Sequence, residues 1–179
     1  MGPVFRVILV LLLAGATAGC FQPLYGTQST TAGPAVAAAL GAVDIEQIDA
    51  ATGTDDARIG VELRNDLIFA LQGGSGGGSP THSLKIRLIP QRYNTSVDLQ
   101  TGRSSTDVYS LTATFQLTDL RTGRVVLSGS TVSPVSYDTP GEQQRYARSR
   151  GLRDAENRAA QQIAENVRSR LASFFVAGS

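Results

Sequence analysis

Cys20 is the only thiol in this chain of 179 residues and His82 the only imidazole, so the residue types that do chemistry are few. Neither a Ser/His/Asp nor a Cys/His arrangement can be assembled from them once Cys20 has another use. A zinc site needs three or four ligands and would find at most one nitrogen ligand here. The carboxylates of Asp55 and Asp56, and of Asp154 and Glu156, stand one and two residues apart. Helix neighbours at those spacings do not face each other, so the pairs read as a capping turn and a solvated face. The glycine-rich residues 73–79 lack the lysine of a phosphate loop and follow a helix pattern instead of a strand, which makes them a connector. His82, next to that connector, reads as an exposed loop residue. No catalytic residue, metal or cofactor is expected.

Arginine is what remains. Lys85 is the only lysine among 16 basic residues, and the planar guanidinium fork holds phosphate or carboxylate in bidentate fashion. Arg145, Arg148, Arg150, Arg153 and Arg158 crowd the start of the last helical segment, offset by Glu142, Asp154 and Glu156. Positive charge there opposes the helix dipole, so helix formation does not explain it. Arg92 and Arg103 flank a polar loop from Asn94 to Thr106, and Arg121 and Arg124 flank a turn. Loops at the end of a sheet are where an anionic head group would be met. A solvated helical face, or a genome rich in arginine codons, gives the same pattern. The formal net charge of +1 argues against nucleic acid as a partner.

The thiol has its own context. Arg6 precedes the apolar run Val7–Ala14, and the small residues Ala16, Ala18 and Gly19 lead to Cys20. About a dozen apolar residues fall short of the roughly 20 that span a bilayer, which fits an export signal over residues 1–19. Thr17-Ala18-Gly19-Cys20 resembles the bacterial lipobox, with Thr17 where a large aliphatic residue is usual; lipidation of Cys20 would also remove an unpaired thiol. Residues 20–41, rich in Ser, Thr, Ala, Gly and Pro, read as the lipidated N-terminus and a tether, with a weak helical turn at Ala35–Leu40.

The elements that would position these groups lie in residues 42–179, expected as one domain. Val43 and Ile45 alternate with Asp44 and Glu46 in a strand over Ala42–Ile48. Thr54-Asp55-Asp56 opens a helix whose apolar stripe is Ile59, Leu63, Leu67, Ala70 and Leu71. A strand over His82–Arg92 places Leu84, Ile86 and Leu88 on one face, with Pro90 marking a bend or an edge. Thr106–Leu120 points Leu111, Ala113, Phe115 and Leu117 inward, and Arg124–Val135 returns after the turn Asp119–Gly123. A long helix over Glu142–Phe175 carries Tyr146, Ala155, Ala159, Ile163, Val167, Leu171 and Phe174 on its apolar period. The expected fold is α+β: two layers, two helices packed on a mostly antiparallel four-stranded sheet.

The order of Cys20, Phe21-Gln22-Pro23-Leu24-Tyr25-Gly26, Glu62-Leu63-Arg64-Asn65 and the closing Leu171-Ala172-Ser173-Phe174-Phe175 resembles the lipopolysaccharide-assembly lipoprotein family LptE, alphaproteobacterial type. The usual opening of that type has a glycine after the cysteine, which is missing here. The resemblance implies a lipid-anchored outer-membrane protein that faces the periplasm, plugs the lumen of the LptD β-barrel, assists the assembly of that barrel and binds lipopolysaccharide. It places lipopolysaccharide-binding positions near Arg103 and Arg145; Arg92 and Arg124, by their placement beside the loop and the turn, are further candidates. An auxiliary lipoprotein of a lipid ABC-type transport system has a similar size, topology and anchor, and is the alternative.

Overall fold

Residues 33–50, 53–73, 78–98, 103–139 and 145–177 are described in the structure, a computed structural model. The elements are α1 (Gly33–Gly41), β1 (Val43–Ile45), α2 (Asp55–Gln72), β2 (His82–Asp98), β3 (Arg103–Asp119), β4 (Arg124–Asp138) and α3 (Arg145–Ala177). The export signal, Cys20, the residues of the tether up to 32 and Glu142 lie outside the described residues.

α2 starts and stops where its sequence says it must. The Thr54 hydroxyl accepts the Ala57 N–H at 3.2 Å, Asp55 and Asp56 sit in the positive first turn, and Gly73 takes φ 63° while its N–H donates to the Phe69 carbonyl at 2.9 Å. Ile59, Leu63, Leu67 and Leu71 are buried. The quartet Glu62-Leu63-Arg64-Asn65 has a structural use: Leu63 fills the core while Arg64 Nε donates to the Ile45 carbonyl at 3.0 Å. Gln72 does the same for the Val43 carbonyl at 3.1 Å, so α2 caps the edge of β1.

The sheet order is β1-β2-β3-β4. β1 runs parallel to β2 and the other two ladders are antiparallel, which makes the sheet mixed. Inward side chains are those that the alternation singles out: Leu84 and Ile86, then Leu111, Ala113, Phe115 and Leu117, joined by Tyr109, Val135 and Tyr137. α3 lays Ala155, Ala159, Ala160, Ile163, Ala164, Val167 and Leu171 against them. Its alanines bring the helix close, and Gly129 on β4 gives Phe115 its space: a Cβ there would stand 2.7 Å from Phe115 Cζ. The β3–β4 turn is held by Asp119, whose carboxylate accepts the N–H groups of Arg121 at 2.7 Å and Thr122 at 3.0 Å, with Gly123 at φ 67°. Those bonds keep the Asp119 carboxyl below its ordinary range.

Four expectations are corrected. There are three helices among the described residues: the weak helical turn expected at Ala35–Leu40 in the tether is part of α1, an alanine-rich helix of nine residues, about two and a half turns, that buries Leu40. The first strand is shorter than Ala42–Ile48, ending at Ile45, although Ile48 is still buried. The stretch Asn94–Thr106 is not a loop, because β2 continues to Asp98 and β3 begins at Arg103, so that the two pair as a ribbon. Pro90 lies inside β2 beyond the reach of three-residue β1, at an edge as expected, where no strand asks for its missing N–H. Tyr146, expected on the apolar stripe of α3, is 75% exposed because it precedes the part of the helix that meets the sheet.

Candidate functional site: the arginine end of the helix–sheet layer

Even-numbered residues of β2 face the helices, and Arg92 is one of them, opposite Tyr109 in the β2–β3 ladder. Its Nη2 lies 3.5 Å from Glu156 Oε1 on α3 and 4.0 Å from Asp55 Oδ2 on α2. Arg58 on α2 closes the other side, donating from Nη2 to Glu156 Oε2 and from Nη1 to Asn157 Oδ1 at 2.9 Å. One carboxylate therefore holds two guanidiniums and ties α2, β2 and α3 together.

Glu156 is 1% exposed. Burial pushes its carboxyl above the usual range, and the charge of Asp55 adds to that, while Arg58 and Arg92 pull the other way. Burial, and then Glu156, raise the Tyr109 phenol as well. Tyr109 Oη and Arg58 Nε are buried with no hydrogen-bond partner among the described residues. An incoming phosphate would have to compete with Glu156 for both forks, so this cluster is a clamp between elements and not an open anion site. Glu156 is thus no part of a solvated face, as the spacing argument had it. It stands four residues before Ala160 and seven before Ile163, in phase with the buried stripe of α3.

Arg103 is the first residue of β3, paired with Asp98, and Arg145 is the first residue of α3. Both belong to the same end of the fold, because Thr106 pairs with Asp138 at the end of β4 and the first turns of α3 pass that point, Gly151 lying against the Asp138 carbonyl. Arg92 is six residues along the ribbon from the level of Arg103, about 20 Å at the rise of a strand. Arg124 is elsewhere: it pairs with Asp119 at the opposite end of β3, about 50 Å from Arg103 by the same rise. The fold brings Arg92, Arg103 and Arg145 to one end and leaves Arg124 out.

Of the other basic residues at this end, Arg158 is held by Asp154 at 2.8 Å, and Arg150 lies over the Tyr146 ring at 5.9 Å. Arg148 and Arg153 are exposed. His82 is not a loop residue but the first residue of β2; its Nδ1 is 2.9 Å from Thr81 Oγ1 and its ring meets Phe175 edge-on at 5.3 Å. Among the described residues no three His, Cys, Asp or Glu side chains could hold a metal, and no helix is long and apolar enough to cross a membrane.

The family model LptE, described as lipopolysaccharide-assembly, matches residues 40–171. A comparison with curated proteins finds no match. Among solved structures, a lipoprotein from Caulobacter crescentus is 23% identical, with a TM-score of 0.63 over 81% of this chain and 98% of that one. Lipoprotein B from Nitrosomonas europaea gives a TM-score of 0.56 at 14% identity, covering 76% of this chain and 84% of that one. The rare lipoprotein B from Shewanella oneidensis gives 0.52 at 13% identity, covering 75% and 96%. These three are similar in fold.

Proposed function

Because the chain belongs to the LptE lipopolysaccharide-assembly family, a family of lipoproteins and not of enzymes, we propose that it plugs the lumen of an LptD-type β-barrel in the outer membrane. In this reading residues 1–19 are removed, Cys20 carries the lipid anchor, and the domain faces the periplasm, assists assembly of the barrel and binds lipopolysaccharide on its way to the outer leaflet. The observation that carries the plug is the sheet's second face. Among the described residues helices cover one side, and the other presents Lys85, Arg87, Thr114, Gln116, Ser128 and Ser130 to solvent across three strands, with Ile89 and Val132 as exposed apolar residues beside Thr112. A water-filled barrel lumen is polar, and a broad polar sheet face suits it.

Lipopolysaccharide is assigned to the end that holds Arg103 and Arg145. The double substitution Arg103→Asp with Arg145→Asp is expected to weaken binding of lipopolysaccharide to the purified protein about tenfold or more, since a hydrogen bond to a charged group contributes about 1.5–3 kcal/mol. Arg124→Asp, at the far end, is expected to bind as the parent does. Titration of the three proteins, with circular dichroism to confirm the fold, reads this. Unchanged binding in the double variant would remove both residues from the site, and an equal loss in Arg124→Asp would reduce the effect to overall charge.

A further inference from the structure

The end of the fold opposite the arginines is apolar at its surface. Leu120 in the β3–β4 turn is 50% exposed, Val125 54% and Val126 37%, and at the last turn of α3 Val176 is 64% exposed. The β3–β4 register slips between Leu117 and Thr118, so Val126 is left outside the pairing and Val125 stands opposite Thr118, on the sheet face away from the helices. Phe174 and Phe175, half-buried and edge-on to each other at 5.3 Å, lie at the same end, where Phe175 meets the ring of His82, the ladder partner of Asp119. Exposed apolar side chains on both sides of the sheet at one end, beside exposed Arg121 and Arg124, make that end an interaction surface.

The chain's own path says what covers it. The Ala42 carbonyl accepts the Thr81 N–H at 2.8 Å, and the Thr81 carbonyl accepts the Leu120 N–H at 3.0 Å. The polypeptide coming from Cys20 therefore joins the sheet two hydrogen bonds from the apolar turn. We propose that this end, built from Leu120, Val125, Val126, Phe174, Phe175 and Val176, beds into the lipid surface that holds the Cys20 anchor. The inference rests on the anchor reading given above. Side chains of this size enter the boundary between head groups and acyl chains, while Arg121 and Arg124 meet the phosphates of anionic lipid. The carboxylate of Asp119 is turned back onto the N–H groups of its own turn and does not oppose them. The lipid on Cys20 holds the chain to the membrane, and the apolar end fixes which way the domain stands on it.

The chain contains no tryptophan, so a single introduced one is a clean reporter. Leu120→Trp and Val176→Trp place it at the apolar end. Tyr146→Trp places it at the exposed start of α3, about 43 Å from Phe175 at 1.5 Å per residue. Each full-length protein is expressed, purified and reconstituted on phosphatidylethanolamine and phosphatidylglycerol vesicles that carry brominated acyl chains. The expected result is severalfold quenching of Leu120→Trp and Val176→Trp emission with Tyr146→Trp unaffected. No quenching at either apolar-end reporter, or equal quenching at all three, overturns the proposal. So does shielding of Leu120→Trp that appears only with a co-purified barrel and without bromolipid quenching, which would assign this end to a protein. The mass of the N-terminal peptide reports acylation of Cys20 separately. An unacylated protein that is still quenched keeps the docking end and sinks the anchor.

Discussion

Glu156 carries a buried charge between two arginines, and its stability contribution has a definite sign with pH. Burial raises its carboxyl above the ordinary 4.5 of a glutamate in the folded protein, so in the window above 4.5 the folded state binds more protons than the unfolded one. The contribution is fully present below that value and is lost as pH rises through the folded pKa. Glu156→Gln does not titrate and escapes this loss. The stability of the variant relative to the parent is therefore expected to rise between pH 4.5 and pH 7, read as the difference in urea midpoint at each pH; a difference that is flat or falls with pH would contradict the desolvated clamp. At this scale the sequence was legible in phase but not in polarity. Position 156 is in phase with Ala159 and Ile163, yet the pairing with Asp154 reads it onto a solvated face, because a glutamate on a stripe is taken as solvated until a partner from another element is known. Arg58 and Arg92 come from α2 and β2, and nothing in local spacing announces that they converge.

Elements with a strong apolar period were legible nearly to the residue. α2 was expected over Asp55–Leu71 and spans Asp55–Gln72, and the inward set Leu111, Ala113, Phe115 and Leu117 is buried as the alternation requires. What was missed has no apolar period to find. The ribbon that links β2 and β3 past Asn94 is polar, and its order comes from strand-to-strand pairing. α1, of which only a weak turn at Ala35–Leu40 is legible, is mostly alanine, with Val36 and Leu40 as its larger apolar residues. Packing between elements also depends on one absence of a side chain. Gly129 lies on β4 opposite Phe115, and a Cβ would meet both the Phe115 ring and Arg170 Nη1 at 3.2 Å. Gly129→Ala is expected to destabilise the fold by about 1–3 kcal/mol through overpacking, measured by urea denaturation. An unchanged midpoint would show that the Phe115 ring has room to move and that the close approach is not a constraint.

At the scale of the whole molecule, two ends and two faces are distinguished. One sheet face is buried under α2 and α3, the other is open and largely polar; one end gathers Arg92, Arg103 and Arg145, the other is apolar and receives the chain from the N-terminal side. The family was legible from the opening hexapeptide after Cys20 together with the order of helices and strands, and the match over residues 40–171 establishes it independently of that hexapeptide. Which arginines share an end was not legible, because it depends on the strand pairing of Thr106 with Asp138 and of Asp119 with Arg124, residues far apart in the sequence. The plug reading makes these features parts of one arrangement: polar face to the lumen wall, arginine end toward the outer leaflet, apolar end toward the anchor. Detergent extraction of outer membranes that contain the tagged, lipidated protein, followed by mass identification of the co-purifying chains, tests it most directly. Stoichiometric recovery of a large β-barrel is the predicted result; recovery of transporter components, or of the lipoprotein alone, would contradict it.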